Sequence, residues 1–474
     1  MAGFDETYRR ADAVELRGLI AKGEVSAAEV VEAGIRAVEE LNPALNAVIC
    51  KLYDIGRAAA AAPGDAPLKG IPFLLKELAS GWGGVQADNA SRFLKDVKAP
   101  GDSVVVGRMK AAGLCLIGKT NAPENGWSID TSPVMYGPTF NPWDRALTPG
   151  GSSGGAAAAV ASGMVPLAEA SDGAGSIRVP ASCCGVVGLK PSRGRTTLAP
   201  FADYWAGGAY FNCLSRTVRD TALYLDNIAG AVPGDIYGLA LPEQSFSQLA
   251  QRAPEGLRVG FTVTDPAGNE VHPGIAEGVR AVARMLESMG HAVEEHDMSF
   301  DAARLWKTYT DMTCVETAAT YGMFEEIFGR RIAEGDVEPV TMAVIERGRA
   351  ASGIAHQARI GAVREMGRDV VQDLDAYDLF LTPVLTRPPR PKGFYDMSMS
   401  DLDAYNALWH DAVFMTPFNM SGQPAMSLPL AQAGHMPAGV QLVGRIGAEA
   451  LLLAVATVLE QAMPWKDRRP PVAA

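Results

Sequence analysis

Apolar and polar positions recur with helical spacing along the first sixty residues. Val14, Leu16, Leu19 and Ile20 share one face of a helix over Asp12–Ala21, which Gly23 closes. Ser26, followed three residues later by Glu29, opens a second helix that ends near Asn42-Pro43. The pattern predicts a third from Leu45 into the alanine run Ala58–Ala62, before the breaker Pro63-Gly64-Asp65-Ala66-Pro67. Beyond it the rhythm changes. Short apolar runs at Leu68–Leu75, Leu114–Gly118, Met164–Ala168, Leu257–Thr264, His291–Met298 and Tyr377–Thr382 read as strands. Helical patterns fall at Ser103–Ala112, Gly155–Gly163, His272–Met289, most of Trp306–Asp375, and Ala448–Met463. Arg387–Lys392 reads as a surface loop, and Asn419–Pro429 as a turn and a buried strand. Strands interleaved with helices make the chain α/β.

One stretch breaks both rhythms. Thr148–Lys190 sets two serines in glycine: Ser152 within Gly150-Gly151-Ser152-Ser153-Gly154-Gly155, and Ser176 after Asp172-Gly173-Ala174-Gly175. A single cluster of this kind reads as a loop or linker, but two clusters flanking an apolar helix point to two loops facing one site. A buried helix starting at Ser153 directs its first N–H groups toward whatever lies beside Ser152. Small residues before Ser176 let the N–H groups of Gly173, Ala174, Gly175 and Ser176 converge on one oxygen, as an oxyanion hole requires.

Composition narrows the partners. The 474 residues are 48% hydrophobic and 20% charged, which suits a folded enzyme. A net charge of −12 argues against nucleic acid and anionic membranes, where clustered Lys and Arg are needed. The most apolar stretch, Gly154–Ala168, falls short of the ~20 residues that span a bilayer. No secretory signal is read in Met1–Arg17, and six cysteines without C-x-x-C spacing read as reduced thiols, so the expected location is cytoplasmic.

Two motifs mislead. Gly113–Thr120 matches G-x-x-x-x-G-K-[ST], but its central residues are strand-like and Asn121-Ala122-Pro123 follows where a helix is needed, so no nucleotide site is expected. Gly150–Gly154 matches the G-x-S-x-G elbow of α/β-hydrolases, yet Leu147-Thr148-Pro149 is a poor preceding strand and the second cluster stays unexplained. None of the six histidines lies in the serine stretch, and no pair has metal-ligand spacing. Neither a metal nor any other cofactor is expected.

Lys76 after Gly70-Ile71-Pro72, Gly118-Lys119-Thr120-Asn121, Gly150–Gly155, Asp172–Pro180, Gly188-Leu189-Lys190-Pro191-Ser192 and Ser421–Ala425 resemble, in order and spacing, the amidase signature family. The resemblance runs from about Leu16 to Trp465, and Ala170–Ser182 with Cys183–Arg195 is most similar to members that open cyclic amides. It implies one α/β domain over residues 1–474 around a large mixed sheet, with residues 1–62 a helical segment packed on it. That sets aside the two or three domains that the length alone suggests. It implies a Ser–cisSer–Lys triad: Ser176 the nucleophile, Ser152 the relay after a cis peptide, and Lys76 the base. Trp127, Cys314 and Ser153 are the implied substrate contacts. Glu77 replaces the usual Asp after the lysine, and Ala174 the first of two glycines. The expected activity is hydrolysis of an uncharged amide or carbamate by a monomer or homodimer. The alternatives are the amidase subunit of a tRNA-dependent amidotransferase and an inactive scaffold. Aromatic residues Trp127, Tyr204, Trp205, Tyr210, Phe211, Trp306 and Trp409 are expected in the pocket loops.

Overall fold

The computed structural model describes residues 2–62, 64–78 and 80–472. Among the described residues there are eleven strands: β1 (Val48–Lys51), β2 (Pro72–Lys76), β3 (Cys115–Thr120), β4 (Leu167–Asp172), β5 (Val187–Lys190), β6 (Tyr210–Ser215), β7 (Arg258–Phe261), β8 (Ala292–Glu295), β9 (Leu379–Pro383), β10 (Ala425–Ala433) and β11 (Met436–Gly444). They form one mixed sheet in the order β1-β3-β2-β4-β6-β5-β10-β11-β9-β7-β8. Strands β3, β2 and β4 run parallel, as do β9, β7 and β8, while β6, β5, β10 and β11 pair antiparallel.

Because side chains alternate across a sheet, consecutive residues of one strand feed different cores. Phe73 and Leu75 join the apolar layer that holds Leu189, Met426 and Leu442 with helices Val218–Ile228, Pro273–Ser288 and Glu449–Ala462. Leu74, Ile117, Ala168 and Leu214 join the layer around helix Gly154–Ser162, all nine residues of which are buried. A helix of alanine and glycine lies close enough to the sheet to hold the loop before it in place.

The amino-terminal pattern is corrected in one place. The second helix runs Ala27–Leu45, with the Ser26–Glu29 capping box formed, and stops at Asn46 in a left-handed conformation, φ 48°. Val48, Ile49 and Cys50 then form the edge strand β1 rather than a helix, because β-branched residues suit a pleated, half-buried surface. Only Tyr53–Ala61 is helical. Similarly, Asn419 lies within a short helix, Thr416–Ser421, before β10. The last six residues of the G-x-x-x-x-G-K-[ST] match, Cys115–Thr120, are β3 itself, buried throughout. All six cysteines are free thiols, and among the described residues no helix is long and apolar enough to cross a membrane.

Candidate active site

Lys76 ends β2 at the level of Thr120 on its parallel neighbour β3, with β4 on its other side. The side chain is fully buried. Its Nζ lies 2.8 Å from Ser152 Oγ, 3.0 Å from Ser171 Oγ and 3.3 Å from the Ser171 carbonyl. Three oxygens around one amine satisfy an ammonium. A neutral amine at the same place uses two N–H groups and offers its lone pair to a serine proton. Burial depresses the Lys76 pKa from 10.5 to about 7, against the opposing pull of the Glu169 and Asp172 carboxylates.

The Gly151–Ser152 peptide is cis. Ser152 is buried, and the loop that carries it packs on helix Arg178–Cys184, where a Cβ at Gly150 would sit 2.7 Å from Pro180 Cα. That close approach ties the first serine cluster to the second, because the same helix begins two residues after Ser176. Ser153 is buried with its hydroxyl 3.3 Å from the Ser171 carbonyl. In the first turn of helix Gly154–Ser162 the Gly155 N–H is already taken, donating to the Asn121 carbonyl.

Asp172 shapes the second cluster. Its Oδ1 accepts the Gly175 N–H at 2.7 Å and its Oδ2 the Ile177 N–H at 3.1 Å, while Arg178 donates to both oxygens at 3.0 Å. Burial alone would raise this carboxyl, but the Arg178 guanidinium, with Asn419 and Lys190, holds it well below the usual carboxylate range. Arg178 is completed by Gln441 Oε1 at 2.8 Å and the Met415 carbonyl at 3.1 Å. The Gly175 N–H is therefore committed to Asp172, which corrects its place among the oxyanion donors. Gly173, Ala174 and Ser176 remain as candidates. Ser176 itself is half-buried, so it is more accessible than the buried Lys76 and Ser152.

Aromatic side chains stand beside this loop. A Cβ on Gly173 would meet Trp205 Cζ3 at 2.1 Å, and Tyr309 Oη donates to the Gly173 carbonyl at 2.5 Å. Trp127, buried, has its ring 6.0 Å from that of Trp205, and Tyr204 stacks on Trp205 at 5.5 Å. Trp306 and Trp409 meet edge-on at 5.6 Å. Cys314 lies fully buried in the same apolar cluster as Trp127, its thiol pushed up to about 12 by burial. Phe211 and Tyr210 are not pocket residues: they lie on β6, Phe211 in the main core and Tyr210 under the Lys190 Nζ with its hydroxyl on the Asn419 carbonyl.

The Glu77 departure also finds its place. Glu77 pairs with Lys119 at 2.9 Å, both buried, and burial lifts the Glu77 carboxyl to about 7. Ser171 lies within the stretch Ala170–Ser182 and Asn419 at the start of Asn419–Pro429, but neither stretch points to a role for them, and no motif signalled Glu169, Tyr309 or Gln441. Ser171 and Glu169 lie in the strand leading to the second cluster, which is the one hint the sequence holds.

Residues 29–453 match the Amidase family model. The chain belongs to the amidase signature family. This amidase is 37% identical to 6-aminohexanoate-cyclic-dimer hydrolase of Paenarthrobacter ureafaciens, over 97% of its own length and 96% of the relative's. It is 31% identical to an acylamidase of Rhodococcus erythropolis, over 97% and 96% of the two chains. The structure of 6-aminohexanoate cyclic dimer hydrolase complexed with substrate superposes on the amidase with a TM-score of 0.93 at 36% identity, covering 98% of this chain and all of that one, 100%.

Proposed function

We propose that this amidase hydrolyses uncharged, non-peptide amides, linear, aryl or cyclic, and also small carbamates, through an acyl-enzyme on Ser176. The observation that carries the reading is the 2.8 Å contact between the buried Lys76 amine and Ser152 Oγ, beside the loop that presents Ser176. A serine hydroxyl attacks only as it loses its proton. Ser176 Oγ adds to the carbonyl carbon while its proton passes to Ser152, whose own proton passes to neutral Lys76. The N–H groups of Gly173, Ala174 and Ser176 face the oxygen that becomes negative. As the C–N bond breaks, Lys76 returns a proton through Ser152 to the departing amine. Water repeats the sequence on the ester, giving the acid and free Ser176. A carbamate follows the same route, because attack on its carbonyl forms the same oxyanion.

Trp127 and Trp205 beside Gly173 favour an apolar, uncharged acyl or amine portion, since apolar pockets orient ligands with few polar groups. The names of the relatives, a cyclic-dimer hydrolase and an acylamidase, support the same substrate class. The test offers the purified chain a nitroanilide, a urethane, a cyclic amide and free glutamine, without ATP, tRNA or metal. Turnover of the first three supports the proposal. Turnover of glutamine alone, or of nothing until other subunits are added, replaces it with the amidotransferase reading.

A further inference from the structure

Most of the buried charges around the site are matched. Asp172 is paired with Arg178, and Glu77 with Lys119. Among those left without an ion pair are the Lys76 amine on β2 and the Glu169 carboxyl on the adjacent strand β4, and, farther off on β5, Lys190, whose Nζ donates to the Pro191 carbonyl. Glu169 is fully buried, and no cationic side chain lies within ion-pair distance of it among the described residues. Its Oε2 accepts the backbone N–H of Lys76 at 2.9 Å, and its Oε1 accepts the Ser80 hydroxyl at 2.8 Å. Both oxygens thus face donors, which favour the ionised form, but burial is the larger effect and lifts the carboxyl to about 7, so its charge is developed at and above neutral pH.

We infer that Glu169 is a positioning residue that acts through Lys76, holding the base's backbone in place and setting its charge with a buried negative countercharge. The inference rests on the reading of Lys76 as the base. The other groups facing the pair do not take this role. Lys119 acts on Glu169 from β3 but belongs to Glu77, and Cys213 and Tyr224 face it as neutral groups. Asp172 faces Lys76 from the end of β4 but belongs to Arg178, with Lys190 beyond it. Burial alone makes Lys76 too weak a base to draw a proton from serine efficiently. The Glu169 carboxylate is the first of the two charges that oppose this fall.

Glu169→Gln keeps an acceptor for the Lys76 N–H and a hydrogen bond to Ser80 but deletes the charge. Lys76 then protonates less readily. The acid limb of kcat/KM moves to lower pH by about one unit, the low end of what a nearby opposite charge produces. The plateau kcat falls a few-fold with KM unchanged, because a less basic amine is a poorer proton acceptor. Ser80→Ala, which removes a donor from the carboxylate without touching Lys76, moves the limb the same way by less, and it carries the test if the Gln variant does not fold. Acid limbs that stay at the wild-type position in the variants, with only the plateau lowered, would leave Glu169 a merely structural residue and overturn the inference. Substantial activity in Lys76→Met would instead remove the base on which the inference rests, a different failure with its own signature.

Discussion

Replacing Lys76 by methionine makes this protein inactive and more stable at once. The side chain is fully buried, so the fold must hold as a neutral amine a group that is an ammonium in the unfolded chain. At roughly 1.4 kcal/mol for each tenfold change in proton affinity, a drop from 10.5 to about 7 costs the folded state several kcal/mol at neutral pH. Methionine fills nearly the same space without that cost. Against the gain stand the Ser152 and Ser171 hydroxyls, which lose the amine as a partner at about 1 kcal/mol each. Glu169, which burial already lifts to about 7, takes up a proton more readily once the attraction of the amine is gone. The net expectation is a variant more stable by about 1–3 kcal/mol at pH 7. The pH dependence identifies the cause. Between pH 7 and 10.5 the unfolded chain holds a proton on Lys76 that the folded chain does not, so wild-type stability rises with pH across that window. The advantage of Lys76→Met is therefore full below pH 7 and shrinks toward pH 10. Urea denaturation of both proteins at pH 6, 7, 8 and 9 measures it. A variant less stable than wild type at every pH, or one whose advantage does not shrink, refutes the reasoning.

Asp172→Asn strands the fully buried Arg178 without its carboxylate, and denaturation is expected to show a loss of about 3–5 kcal/mol, with little soluble protein at 37 °C. Gly173→Ala drives a methyl group into Trp205, so tryptophan fluorescence shifts and kcat/KM for aryl substrates falls on the order of tenfold, while the urea midpoint changes less than in Asp172→Asn. For the wild type, kcat/KM falls about tenfold per pH unit below pH 7 as Lys76 takes up its proton, and a chelator leaves the profile unchanged, as pH–rate measurements with and without it will show.

The parts of the site legible in the sequence are those that lie close together in it. The serine clusters and the lysine at a strand end can be read because glycine placement and short-range order are local properties. The partners of these residues cannot. Glu77 meets Lys119 only because β2 and β3 run parallel in a register that places Leu75 beside Lys119. Arg178 is completed by Asn419 and Gln441, more than two hundred residues away, and nothing local to either residue points back to Arg178. Gly175 looks like an oxyanion donor in a string of small residues, and only the Asp172 carboxylate folded back on the loop takes its N–H. Phe211 and Trp205 are indistinguishable as aromatic residues of one segment, yet β6 turns the first into the core and the loop before it sets the second against Gly173. In the fold, the strand over Val48–Lys51 was hidden by the alanine run that follows it, whose helical pattern overwhelms four residues of edge strand.

The central claim is that Ser176 carries the acyl group while Ser152 and Lys76 move its proton. Incubating the wild type, Ser152→Ala and Lys76→Met with a fluorophosphonate, and mapping the adduct by mass spectrometry, tests it directly. The account predicts rapid modification of Ser176 in the wild type and modification of the same residue, slowed at least a hundredfold in each variant, on the order of what a positioned proton acceptor contributes. A wild-type adduct on Ser152, or labelling of Ser176 at an undiminished rate without Lys76, would contradict it.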